Sequence, residues 1–160
     1  MDNTQSIIDI KERFNNEIVD YVEYITSKND LDYKRNYTIN ILKECIQKKY
    51  KNWDVFLFGS VTQGISTVFS DLDFEIISEE YKNFKIESKD RDEINLKQIL
   101  AIIRDDFDAR IIPANVPIIK AKCKKTDIFL DISVNRTNGY EDSQIIGEII
   151  SKHIILKQAL

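Results

Sequence analysis

The chain has 160 residues, about one domain's worth, and at 42% hydrophobic residues it has enough apolar side chain to bury a core. Its net charge of −4 is the opposite of the basic footprint of a stand-alone nucleic-acid binder, and two cysteines, Cys45 and Cys123, are too few for a disulfide framework and lie in no metal-ligand spacing. No basic region leads into an apolar run at the start, and no apolar stretch reaches membrane-spanning length, so we expect a non-secreted, intracellular protein with reduced thiols and no membrane association.

Apolar residues at Ile7, Ile10, Phe14, Ile18, Val22 and Ile25 predict a first amphipathic helix, broken by the polar run from Ser27 to Asp30. A second helix is predicted from Leu31 to Tyr50, with Tyr37, Ile41, Leu42, Cys45 and Ile46 facing inward. The run Trp53 to Phe58 is aromatic and β-branched and predicts a strand that ends at Gly59-Ser60. A turn or short helix follows to Ser70, and then a strand from Leu72 to Ile77 with Asp71 just before it.

The charged stretch from Ser78 to Arg91 reads as an exposed loop. Leu96, Ile99, Leu100, Ile103 and Phe107 mark a third helix. Strands are predicted at Ala109–Ile112 and Val116–Lys122, around Pro113, and at Ile128–Val134 after a turn at Lys124–Asp127. Asn138-Gly139 reads as a turn, and Ile145, Ile146, Ile149, Ile150 and Ile154 give the remainder a helical period. This order predicts an α+β domain, a small mixed sheet covered by helices.

The chemistry concentrates on three aspartates. In a strand, residues two apart share a face, so Asp71 and Asp73 are expected side by side. Two like charges held together favour a cation between them, and magnesium prefers such oxygen ligands. A lone Asp-x-Asp is more often a solvated turn, but here it stands at the mouth of an apolar strand. Asp131 interrupts the apolar run Ile128-Phe129-Leu130 and Ile132. A charge in such a strand needs a partner. Taken alone, a salt bridge to Lys120 or Lys122 accounts for it equally well; beside Asp71 and Asp73, a third metal ligand is the better account. Gly59-Ser60 would let a backbone approach a phosphate closely, with a hydroxyl and free N–H donors beside it.

The run Phe58-Gly59-Ser60, ten intervening residues, Asp71-Leu72-Asp73 and a later Asp131 resembles the polymerase-β-type nucleotidyltransferases. Asn15-Asn16-Glu17-Ile18, Val116 to Lys120, Asp127 to Val134, Thr137-Asn138-Gly139 and Leu156-Lys157-Gln158 make it more similar to nuclear, Trf-type poly(A) polymerases of RNA surveillance. The likeness runs from about Phe14 to Leu160 in unbroken order.

It implies untemplated addition of AMP from ATP to an RNA 3′ end. Asp71 and Asp73 would bind two magnesium or manganese ions and Asp131 the one that activates the 3′ hydroxyl. Gly59 and Ser60 would hold the terminal phosphates, Asn138 the ribose and Lys157 the triphosphate. It also implies a nuclear location and an RNA-binding protein partner, as in nuclear polyadenylation complexes. The expected division is N-terminal helices at 1–52, the nucleotidyltransferase palm at 53–136, and the truncated start of a helical central domain at 137–160. In the family the first helix packs on that central domain, so Ile10, Phe14 and Ile18 are expected to be exposed here.

Two other readings stand beside this one. A minimal nucleotidyltransferase would modify a protein or small molecule, and an inactive palm would scaffold an RNA-processing complex. Lys120, Lys122, Lys124 and Lys125 form a basic cluster near Asp131 that either faces RNA or is a solvated face; Lys48, Lys49 and Lys51 are a second such run. His153, the only histidine, reads as a helix residue without ligand partners, and Trp53, Phe56 and Phe58 as core.

Overall fold

The computed structural model describes residues 3–26, 30–85, 88–136 and 138–152, and of these the side chains of residues 3–9 and 25–26 are not described. Among the described residues, six helices and five strands follow in the order α1 (Asn3–Thr26), α2 (Leu31–Lys49), β1 (Asp54–Phe58), α3 (Ser60–Gln63), β2 (Leu72–Ile77), α4 (Glu79–Phe84), α5 (Lys89–Ile103), β3 (Phe107–Ile112), β4 (Ile118–Cys123), β5 (Phe129–Val134) and α6 (Asn138–Lys152).

The strands form one sheet in the order β1-β2-β5-β4-β3. β2 and β5 are parallel, and the other three pairings are antiparallel. The fold is thus the expected α+β arrangement, a mixed sheet with helices.

Strand alternation divides the sheet into two faces. Leu72, Phe74 and Ile76 of β2, Leu130, Ile132 and Val134 of β5, and Ile119, Ala121 and Cys123 of β4 point to one side and form the core. Leu42 and Ile46 of α2 and Leu96, Ile99 and Ile103 of α5 cover them. Each of these large side chains contributes about 1.5–3 kcal/mol relative to staying in water. The opposite face is left to polar residues of β2, β5 and β4. α6 covers it only at the β1 end, where Phe56 stacks obliquely on Tyr140 at 4.5 Å.

Four local expectations are corrected. The charged stretch after Ser78 is not a loop: it holds α4 and the start of α5. Ser78 caps α4, its Oγ accepting from the Tyr81 N–H at 3.3 Å, and Tyr81 is buried. Phe107 belongs to β3, not the third helix, because it pairs with Cys123 of β4 and fills the core. Asn138-Gly139 opens α6 instead of making a turn, since Gly139 packs its backbone against the Phe58 ring. Phe56 and Phe58 are half-buried beneath α6 on the open face, whereas Trp53 is buried and stacks on Tyr50 at 4.3 Å.

α1 presents Ile10 (63% exposed), Phe14 (61%) and Ile18 (44%) to solvent, and meets the rest of the molecule through an oblique Tyr24–Phe69 ring contact at 6.1 Å. No described helix is long and apolar enough to cross a membrane. Cys45 and Cys123 are free.

Candidate active site

The open face carries one row of side chains that crosses all five strands. Phe58 pairs with Asp73, Asp73 with Asp131, Asp131 with Lys120, and Lys120 with Arg110. Two residues along, Phe56, Glu75 and Ser133 make a parallel row. A β-strand alternates its faces with period two, so each of these side chains is fixed on the open side by its register.

Asp73 and Asp131 are brought together directly by the parallel β2–β5 pairing, and Asp71 stands two residues before Asp73. Burial first, then the negative charges of Asp131 and Asp71, push the Asp73 carboxyl above its ordinary range, while Lys120 opposes them. Asp131 takes the salt-bridge alternative raised by its sequence context. Lys120 Nζ donates to both of its oxygens, at 2.9 Å to Oδ1 and 2.7 Å to Oδ2. That hydrogen bond is the main reason the Lys120 ammonium is held above its ordinary range. As placed, no group of three or more carboxylate, histidine or cysteine side chains among the described residues converges on an ion.

Gly59 lies against this cluster. Its φ of 75° and ψ of −159° belong to a region that only glycine populates. A Cβ there would overlap Oδ2 of Asp73. The Gly59 N–H donates to Ser143 Oγ of α6 at 2.9 Å, and Ser60 begins the single turn of α3. Asn138 is exposed at the start of α6. Lys157 and His153 lie outside the described residues.

Several positioning residues were not evident from the sequence. Arg35 of α2 is buried and ties down the loop that leads into Asp71. Its Nη2 donates to the carbonyls of Thr67 at 2.6 Å and Ser70 at 3.2 Å, and its Nη1 to Ser66 Oγ at 3.2 Å. Ser143 joins α6 to α3 through Gly59, Thr62 and Gln63.

Glu75, 1% exposed, accepts from Ser133 Oγ at 2.5 Å and from the Arg136 N–H at 2.6 Å. Its carboxyl is pushed up to about 7, chiefly by burial, against those hydrogen bonds. Beside it, Asp92 accepts from Arg136 Nη2 and Asn135 Nδ2, both at 2.9 Å. A helix-borne Asp two turns before Leu100 carried the signal, but nothing in the spacing pointed it at β5.

Of the basic cluster, Lys120 and Lys122 lie on the open face, Lys124 reaches the Arg104 carbonyl at 2.7 Å, and Lys125 sits over the Tyr37 ring. A cavity of about 420 Å³ opens beside the aspartates, lined by Asp71, Asp131, Lys120, Lys122, Arg110 and Phe129 among others. A second, of about 630 Å³, lies between α3 and α6.

The donor set is compatible with a hard divalent cation: oxygen ligands, excess negative charge, and backbone that keeps clear of Asp73 at Gly59.

Residues 14–150 match the family described as "Poly(A) RNA polymerase, mitochondrial-like, central palm domain". Poly(A) RNA polymerase protein 1 of Saccharomyces cerevisiae is 32% identical over 138 residues, covering 82% of this chain and 20% of the yeast protein. Poly(A) RNA polymerase protein 2 of the same yeast is 29% identical over 140 residues, covering 82% of this chain and 22% of that protein. The chain thus spans about one-fifth of the length of these curated relatives. Among solved structures, the GLD-2/RNP-8 complex superposes with a TM-score of 0.72 at 18% identity, over 85% of this chain and 42% of that one. The poly(U) polymerase Cid1 with MgGTP bound gives 0.68 at 17% identity, over 87% and 42%. The fold is therefore that of these nucleotidyltransferases, and the motif resemblance to Trf-type palms holds over most of the sequence. The chain belongs to the poly(A) RNA polymerase central palm family.

Proposed function

We propose that this palm adds AMP from ATP to the 3′ end of RNA, with divalent metal ions held by Asp71, Asp73 and Asp131. The observation that carries the reading is the register of β2 and β5, which sets Asp73 beside Asp131 with Asp71 one step away, in the palm of a poly(A) polymerase family. Magnesium or manganese bound there would supply Lewis-acid polarisation of the phosphate and activation of the attacking hydroxyl.

The protein's own part is positioning. Arg35 fixes the Asp71 loop, Gly59 leaves room beside Asp73, and α3 and α6 form one wall. Gly59 and Ser60 are proposed to hold the terminal phosphates, and Asn138 and Lys157 the ribose and triphosphate. An RNA-binding partner belongs to the same proposal, supported by the solved complexes of GLD-2 with RNP-8 and GLD-3. So does a nuclear location, tested by imaging the tagged chain.

The experiment is to incubate the chain with ATP, Mg²⁺ and a short labelled RNA. RNA extension that disappears in Asp73→Asn and Asp131→Asn supports the proposal. AMP transferred to a protein instead would favour a minimal modifying enzyme. Absence of both, with partner binding untouched by the substitutions, would favour a scaffold.

A further inference from the structure

We infer that Lys120 is a resident counterion that competes with a divalent cation for Asp131, so that loading the metal site requires the Lys120–Asp131 pair to open. This rests on the reading of Asp71, Asp73 and Asp131 as metal ligands. Both Asp131 oxygens are engaged by one ammonium, at 2.9 and 2.7 Å. An ion bound by Asp131 needs at least one of those oxygens, and it cannot share the space with Nζ.

The pairing is built into the sheet and is not a chance meeting of long side chains. Lys120 and Asp131 are directly opposed across antiparallel β4 and β5, while Asp131 is directly opposed to Asp73 across β5 and β2. Opposed residues hold their Cβ atoms about 4.5–5.5 Å apart. On its other side Lys120 is opposed to Arg110, a like charge. Repulsion there and attraction on the Asp131 side tilt the ammonium inward.

The pair is also placed to open. The Lys120 side chain is 48% exposed and that of Asp131 27%. A partly exposed pair is weak enough for a doubly charged ion to replace it, and the released ammonium has solvent to go to. Lys120 thus offsets the repulsion among the aspartates before the metal arrives, at the expense of metal affinity.

The test is a titration of the chain with Mn²⁺ alone, following free Mn²⁺ by its electron paramagnetic resonance signal. The variants are Lys120→Met, Lys120→Arg, Asp73→Asn and Asp131→Asn, each checked for folding by thermal melting. Lys120→Met is expected to bind Mn²⁺ about tenfold more tightly than the parent chain, because it loses both a competitor and a nearby positive charge. Lys120→Arg keeps the competitor and should stay within about threefold. Mass-spectrometric labelling of lysine amines gives a second readout, with Lys120 labelling faster once Mn²⁺ saturates the site.

Unchanged or weaker binding by Lys120→Met, while Asp73→Asn still abolishes binding, overturns the competition but leaves the metal site standing. Binding that is absent, or indifferent to Asp73→Asn, overturns both.

Discussion

Gly59 and Asp73 approach so closely that a methyl group on the glycine would lie only 2.3 Å from the aspartate's Oδ2. The contact joins the end of β1 to the open face of β2 across the Phe58–Asp73 pair. Gly59→Ala therefore carries two penalties, a backbone conformation that costs at least about 1–3 kcal/mol for any residue with a Cβ and a displaced carboxylate. Nucleotide incorporation should fall at least 100-fold, with a melting temperature lower by several degrees, measured by RNA extension and calorimetry.

Asp73→Asn separates stability from function. Burial, Asp131 and Asp71 all disfavour the charged form of Asp73, so a neutral side chain of the same shape relieves repulsion. The metal-free variant should melt no lower than the parent chain while RNA extension is lost. A lower melting temperature without metal would show that the carboxylate contributes attraction.

Asn135 ties down the chain just beyond β5. Its φ of 58° is left-handed, its Oδ1 accepts from the N–H and Oγ of Ser78 at 2.9 and 3.0 Å, and its Nδ2 donates to Asp92. Asn135→Ala should cost about 2–4 kcal/mol from stranded buried partners and backbone strain, read from urea unfolding. Asn135→Gly recovers only the strain.

Cys45 gives a pH-dependent signature. Burial first, then the charge and hydrogen bond of Asp106 at 3.6 Å, push its thiol up to about 11 from an ordinary 9.0. The thiolate population at pH 8 is then about 100-fold lower than in the unfolded chain, and alkylation by iodoacetamide should slow in proportion. Because the folded value is the higher one, the Cys45 contribution to stability is in full below pH 9 and is lost as pH rises toward 11. Asp106→Asn should speed labelling.

Deleting residues 1–29 tests the role of α1. Its Ile10, Phe14 and Ile18 are exposed and add nothing to the core, so the palm should lose no more than about 1 kcal/mol. Light scattering at high concentration should fall, since an exposed apolar stripe favours association.

Much of the site's framework was legible because strand alternation is a strong rule. Leu72 and Asp73, or Leu130 and Asp131, announce by their character alone which face each occupies. The pairing of Asp131 with Lys120 was legible only as one of two alternatives, since sequence gives residue types and not registers.

The misreadings have local causes. Phe107 continues the period of Ile103, yet an antiparallel partner outweighs that spacing. The charged run after Ser78 hides a helix whose signals were its cap, Glu79 and Glu80 in the first turn, Lys82 in the last and the buried Tyr81. Arg35 carried no signal in the sequence, because its partners are backbone carbonyls 32 and 35 positions away.

The parallel pairing of β2 with β5 has a kinetic consequence. Asp73 and Asp131 become neighbours only after α4, α5, β3 and β4 have been threaded between them. Closing that long connection is entropically costly, and it rewards the chain late. The carboxylate cluster thus forms in the same late step that sets Leu72 on Leu130 and Phe74 on Ile132, after the local packing of Trp53 on Tyr50. Refolding followed by core fluorescence at Trp53 should therefore run ahead of recovery of metal binding.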